Sequence, residues 1–121
     1  MIARIWRGLV PTSRADDYLE RMRAIAVPEY EATEGNRGAW CLQRTEGSVT
    51  HALMISHWDN VDAIKRFAGE DYSKAQYYDF DADYLMEMEE RVDHFDIRAA
   101  SQPNKQPRSA GTPGNLAGLG N

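Results

Sequence analysis

Cysteine is almost absent from this chain. Its 121 residues include one, Cys41, which excludes an internal disulfide. Its apolar neighbours Trp40 and Leu42 point to a buried, inert thiol rather than a nucleophile. Long apolar runs are also lacking: no stretch approaches the roughly 18 to 20 residues a membrane helix needs. The opening Met1–Arg7 has neither the apolar core nor the cleavage site of a secretion signal, so the expected location is the cytoplasm. Basic clusters are missing as well. The net charge is −5, and because the stretch from Ala99 onward carries only Lys105 and Arg108, the part before it holds −7. Such an acidic surface repels phosphate backbones and argues against nucleic-acid binding.

Several catalytic signatures are missing too. Gly35-Asn36-Arg37-Gly38 matches neither a dinucleotide nor a nucleotide-phosphate loop, and no Ser elbow of the GxSxG type occurs. The three histidines, His51, His57 and His94, have no HxH or HxxxH spacing. His51 and His57 fall on one strand face but six residues apart, roughly 20 Å at strand rise, too far to share a metal. Asp79, Asp81 and Asp83 alternate, but lack the glycine and distal glutamate of a calcium loop and read as a solvated segment. Neither a metal nor a cofactor is expected.

What is present suits one domain with an average core: the apolar fraction is 42%. Ile2–Val10 has a strand signature. After Pro11, Thr12 or Ser13 can cap a helix with Tyr18, Leu19, Met22, Ile25 and Ala26 at helical spacing. Pro28 should kink or stop that helix. Ala39–Thr45 and Val49–Trp58 read as strands joined through Glu46-Gly47-Ser48 into an antiparallel hairpin. Asp59 or Asn60 caps a second helix along Val61, Ile64, Phe67 and Ala68, which Gly69 ends. Further helical pieces are expected over Tyr72–Tyr78 and Asp81–Met88, and a last strand over Arg91–Arg98. The order β-α-β-β-α-β is the ferredoxin-like α+β pattern, a four-stranded antiparallel sheet with helices on one face. Residues 1–98 form this domain; 99–121, rich in Pro and Gly, are expected to be a disordered polar tail.

A sheet covered on one side should show polar residues on the other. Here both sides are partly apolar: His51, Leu53, Ile55 and His57 lie opposite Ala52, Met54, Ser56 and Trp58, and Ile5 and Leu9 lie opposite Ile2 and Trp6. The second face is expected to pack on another copy of the chain, as a homodimer through sheet faces.

Four segments carry a family resemblance: Met1-Ile2-Ala3-Arg4-Ile5-Trp6-Arg7-Gly8, Ser56-His57-Trp58, Phe67-Ala68-Gly69-Glu70-Asp71-Tyr72 and Asp93-His94-Phe95-Asp96-Ile97. Over about residues 1–98 the chain resembles the antibiotic biosynthesis monooxygenase domain of the dimeric α+β barrel superfamily. The resemblance implies a dimeric barrel and cofactor-free oxygenation of phenolic, quinol or polyketide-like aromatics. The same superfamily holds haem-degrading enzymes, isomerases and many members of unknown role. Its haem-degrading branch uses an Asn on the first strand, a Trp on the second helix and a His soon after. The matching positions here are Trp6 or Arg7, Phe67 and Gln76, which argues against haem chemistry.

A cofactor-free oxygenase needs a base to form an electron-rich anion and a cation to hold it. One of His51, His57 and His94 is the candidate base, and Arg4, Arg7 or Arg44 the candidate stabiliser. Trp6, Tyr30, Trp40, Phe67 and Tyr72 are the candidate substrate contacts, in a pocket between sheet and helices suited to a small aromatic or apolar molecule. Trp58, at a strand end, reads as structural. A non-catalytic binding module, or an isomerase or lyase of the same fold, would use the same pocket.

Overall fold

The computed structural model describes residues 1–101. Strand β1 spans Ile2–Pro11, β2 Asn36–Glu46, β3 Val49–Trp58 and β4 Asp93–Asp96. They form one antiparallel sheet in the order β2-β3-β1-β4. Helices α1 (Ala15–Arg21), α2 (Val27–Ala32) and α3 (Val61–Ala68) complete the ferredoxin-like α+β arrangement. Among the described residues no helix is long and apolar enough to cross a membrane. The expected disordered tail falls almost wholly on 102–121, outside the described residues.

Strand alternation sorts the sheet into two faces. Arg4, Trp6 and Val10 of β1 and Thr50, Ala52, Met54, Ser56 and Trp58 of β3 are buried toward the helices. Their odd-numbered neighbours point the other way. Tyr18, Met22, Ala26 and Tyr30 from the first helical run and Ala63, Ile64 and Ala68 from α3 close the core against the inner face. The β2–β3 hairpin turns at Gly47, whose φ of +61° is the left-handed region. Before β2, Gly35 has a φ of +93°, and a Cβ there would lie 2.4 Å from the Ala63 Cβ, so only glycine lets this turn approach α3.

The helical run does not end at Pro28. The five residues Met22–Ala26 form a π-turn in which the Val27 N–H reaches back to the Met22 carbonyl, and α2 then continues with Pro28 in its first turn. The widened turn accommodates a residue that has no N–H to give and would crowd the preceding turn. Asn60 caps α3 as expected, its side chain accepting from the Ala63 N–H at 2.9 Å, and Gly69 follows the last turn with φ +87°.

The helical pieces expected over Tyr72–Tyr78 and Asp81–Met88 are absent. Only a 3-10 turn, Asp81–Asp83, interrupts the irregular segment 69–92. Tertiary bonds organise it instead. Tyr18 donates to Asp81 at 2.8 Å and Tyr84 to Asp17 at 2.6 Å, while the Met86 N–H bonds the Leu9 carbonyl at 2.8 Å. The segment becomes a strap along the open edge of β1. Asp81, expected in a solvated loop, is 1% exposed and also accepts from the Tyr78 N–H at 2.6 Å. Burial holds its carboxyl above the ordinary carboxylate value, against both hydrogen bonds.

Candidate functional site

The sequence led to one shared pocket between sheet and helices, but the sheet divides the candidate residues between its two faces. Arg4, Trp6, Tyr30, Phe67, Tyr72 and His94 gather on the helix side. Arg7, Trp40, Arg44, His51 and His57 lie on the outer face. There Arg7 is ion-paired with Asp93. His51 bonds Glu46 at 2.8 Å, and Arg44 lies 3.7 Å from the same carboxylate. His57 packs against the Trp40 ring at 4.8 Å. Trp40 is 47% exposed, Leu42 42% and Phe95 57%. A groove of about 550 Å³ opens on this face, floored by Leu9, Leu42 and Leu53 and edged by Arg7, Arg44, His51, Glu87 and Glu89. Cys41 points the other way, and burial pushes its thiol up, consistent with an inert role.

The inner group is built around Arg4. This residue faces the core because β1 alternates, and it is only 1% exposed. Its Nη1 donates to the Tyr72 carbonyl at 2.5 Å and lies 3.1 Å from His94 Nε2, and its Nη2 reaches the Lys74 carbonyl at 3.4 Å. The guanidinium stands over the Phe67 ring, 5.7 Å from its centroid. Among the described residues no carboxylate lies within ion-pair distance of Arg4, and its Nε has no acceptor. A buried cation with no counter-ion is unusual and costly. Burial lowers the guanidinium below its ordinary value, while nearby Tyr30 opposes the shift. Burial likewise pushes the Tyr30 hydroxyl up to about 12, with Arg4 pulling it down.

The sheet register places His94 directly across from Arg4, because β4 pairs with the start of β1. A guanidinium can only donate, so His94 Nε2 must accept, which puts the imidazole in its neutral form with the lone pair on Nε2. Burial first, then the Arg4 charge, holds His94 below the ordinary imidazole value, with Asp93 opposing. The pair thus offers a proton acceptor beside a fixed positive charge. Tyr72 covers it, its ring meeting His94 edge-on at 5.3 Å. Behind them the rings pack closely: Tyr30 stacks on Phe67 at 4.3 Å, Trp58 lies 5.6 Å from Phe67, and Trp6 meets Tyr77 edge-on at 6.0 Å. Sequence reasoning named Arg4 and His94 separately but did not connect them. The missing signal was the β1–β4 register.

The fold and this inner cluster define the class first: a ferredoxin-like α+β domain with a cation and a neutral imidazole under an aromatic cover. Solved structures then show which proteins share the fold. The haem-degrader MhuD from Mycobacterium tuberculosis, solved with two haems bound in its active site, aligns with a TM-score of 0.55 at 14% identity over 84% of this chain and 100% of that one. A candidate antibiotic biosynthesis monooxygenase from Bacillus cereus aligns with 0.55 at 13% identity, over 84% and 96%. Rv0793 from Mycobacterium tuberculosis aligns with 0.53 at 15% identity, over 84% and 97%. The ferredoxin-like α+β fold of the chain is therefore shared with these proteins. No protein-family model matches the sequence, and no curated protein matches it.

Haem does not suit the residues of the inner face. Tyr30 and Trp58 are packed ring to ring and buried there, and Trp6 is buried against Tyr77. The imidazole on that side, His94, has its Nε2 turned onto Arg4.

Proposed function

We propose that this protein is a cofactor-independent monooxygenase of a small phenolic, quinol or polyketide-like aromatic, working as a cytoplasmic homodimer. The reading is carried by one observation: Arg4, a buried cation without a carboxylate partner, touches the Nε2 of a neutral His94. A substrate hydroxyl that displaces the Arg4 donor from His94 gives its proton to Nε2, and the oxyanion left behind takes the freed Arg4 donor and the unpartnered Nε in a site shielded from water. Phe67, Tyr30 and Tyr72 supply flat apolar contacts for the ring.

The anion is electron-rich enough to react with dioxygen directly. For an anthrone, the activated methylene carbon bonds to one oxygen atom and becomes a carbonyl. Its two hydrogens leave with the other oxygen atom as water, so the atoms balance without an added reductant. His94 holds the first proton, and Arg4 holds the developing charge.

The outer face supports the dimer. Large apolar side chains stay open there, Trp40 at 47%, Leu42 at 42% and Phe95 at 57%, around a groove lined by Leu9 and Leu53. Two copies stacked sheet to sheet would cover them in an isologous interface.

The test is oxygen uptake by the purified protein, without added cofactor, across a panel of anthrones and hydroquinones. Uptake above the buffer rate, reduced by about 100-fold or more in His94→Ala, is the expected result for a general base. Uptake that survives in His94→Ala but falls in His51→Ala or His57→Ala would move the chemistry to the outer face. Ligand binding with no uptake would make the protein a binding module.

A further inference from the structure

We propose that ligand reaches the Arg4–His94 pair through the shallow cleft between α3 and β4, with the Tyr72 ring as its gate, and that the mouth of this cleft favours an uncharged hydroxyl compound over a ligand that is already an anion. The inference rests on the role given above to Arg4 and His94.

The cleft measures about 190 Å³. It is lined by Tyr72 and His94 together with Ile2, Val61, Ile64 and Asp96. It is too small to hold a whole substrate and has the dimensions of a vestibule. The Tyr72 and His94 rings in its lining meet edge-on at 5.3 Å. Arg4 bonds both of the residues that carry them, through the Tyr72 carbonyl and His94 Nε2. In this proposal a swing of the Tyr72 side chain opens the cleft toward the guanidinium, and no strand pairing has to break for it. Tyr72 can make that movement because it lies in the irregular segment after α3 and not in a helix or sheet.

The charges around the mouth are asymmetric. Asp96 is exposed and makes no ion pair among the described residues. Asp93 is held by Arg7 on the other face of the sheet. Lys65, 5.9 Å from the Tyr72 ring, is 3.5 Å from Glu70 and so already has an anion. Asp96 is the one carboxylate in the lining of the cleft, whereas the unbalanced charge inside, on Arg4, is positive. A carboxylate or phosphate is repelled at the edge. A phenol or enol passes as a neutral molecule and becomes an anion only where Arg4 can hold it: its O–H bond breaks, an N–H bond forms at His94 Nε2, and the electron pair stays on oxygen.

Two probes with one ring system separate these cases, 2-naphthol and 2-naphthoate, titrated into the full chain by calorimetry and by absorbance. Expected are tighter binding of 2-naphthol, by about tenfold or more, and a naphtholate absorption band appearing below the pH at which 2-naphthol ionises in solution. Asp96→Asn, an exposed change that leaves the fold intact, should narrow the affinity ratio by about two- to fivefold, the effect of one partly screened charge at close range. Tyr72→Ala should speed 2-naphthol association in stopped flow. Equal or tighter binding of 2-naphthoate, no binding of 2-naphthol, or a ratio unmoved by Asp96→Asn would overturn the proposal. The two readings fail separately. A naphtholate band without oxygen uptake from any substrate sinks the oxygenase and leaves the entrance standing. Uptake indifferent to both variants sinks the entrance and leaves the oxygenase.

Discussion

Replacing Arg4 with methionine tests the inner cluster without any substrate. The change keeps most of the side-chain volume and removes the charge. Two effects of opposite sign follow. The carbonyls of Tyr72 and Lys74 lose their donor, at about 1–3 kcal/mol for each buried acceptor left unsatisfied. The protein is also relieved of a buried cation that no carboxylate compensates, a desolvation cost of several kcal/mol. The two nearly cancel, so Arg4→Met should change unfolding free energy by no more than about 2 kcal/mol, where breaking a compensated buried pair costs about 3–5 kcal/mol. His94 gives the second readout. Its proton affinity is lowered first by burial and then by the Arg4 charge. Removing that charge should raise the His94 pKa toward the ordinary 6.5. Urea unfolding measures the first effect and an NMR titration of the imidazole the second. Destabilisation beyond about 4 kcal/mol would mean that Arg4 is a compensated structural ion. A His94 pKa that stays put or falls would mean that the two groups do not meet in solution. Either result would refute the reasoning.

Two further outcomes concern the scaffold. Leu42→Glu should convert the proposed dimer to monomer in sedimentation velocity, because a twofold axis counts the lost side chain twice, about 3–6 kcal/mol or at least 100-fold in affinity; a surviving dimer would rule out the outer sheet face as the interface. Asp81→Asn should shift the pH dependence of stability. A carboxyl raised above 3.8 in the fold contributes stability that is fully present below 3.8 and is lost as pH rises through the folded value. The variant imitates the protonated carboxyl, its amide oxygen accepting from the Tyr78 N–H and its NH2 donating to the Tyr18 hydroxyl. Its stability should match the native chain in acid and gain on it as pH rises across that window; a variant that falls further behind as pH rises would contradict the raised carboxyl.

Local pattern was sufficient where local forces decide the structure. In β3 every second residue from Thr50 to Trp58 is buried, as the alternation required, and Asn60 and Gly69 bound α3 by the capping chemistry their residue types suggest. It misled where distant partners decide. Tyr84, Leu85 and Met88 have helical spacing, yet the segment is held by Asp17, Tyr18 and Leu9, more than sixty residues earlier. Those bonds satisfy the backbone and side chains without a helix, and no window of sequence contains both ends. Asp81 is the sharpest case: alternate acidic spacing suggested solvent, whereas the buried hydroxyl of Tyr18 supplies its partner. Pro28 shows the reverse, a strong local signal absorbed by one widened turn upstream.

The candidate site was half legible for a related reason. Strand parity alone separates Arg4 from Arg7, Cys41 from Trp40 and His94 from Phe95, so the division into two faces was present in the alternation; which parity met the helices was not decided by it. Arg4 breaks the rule of its face, a cation among Trp6, Val10 and Met54. Such violations of local consistency concentrate at sites where function opposes stability. The bland explanation, that Arg4 staples the strap to the sheet, accounts for its bonds to the Tyr72 and Lys74 carbonyls. It does not account for an Nε left without an acceptor, or for the choice of a charged side chain where a neutral donor would avoid the desolvation cost. An anion that is formed inside and released again needs both features, because a resident carboxylate would compete for the same charge.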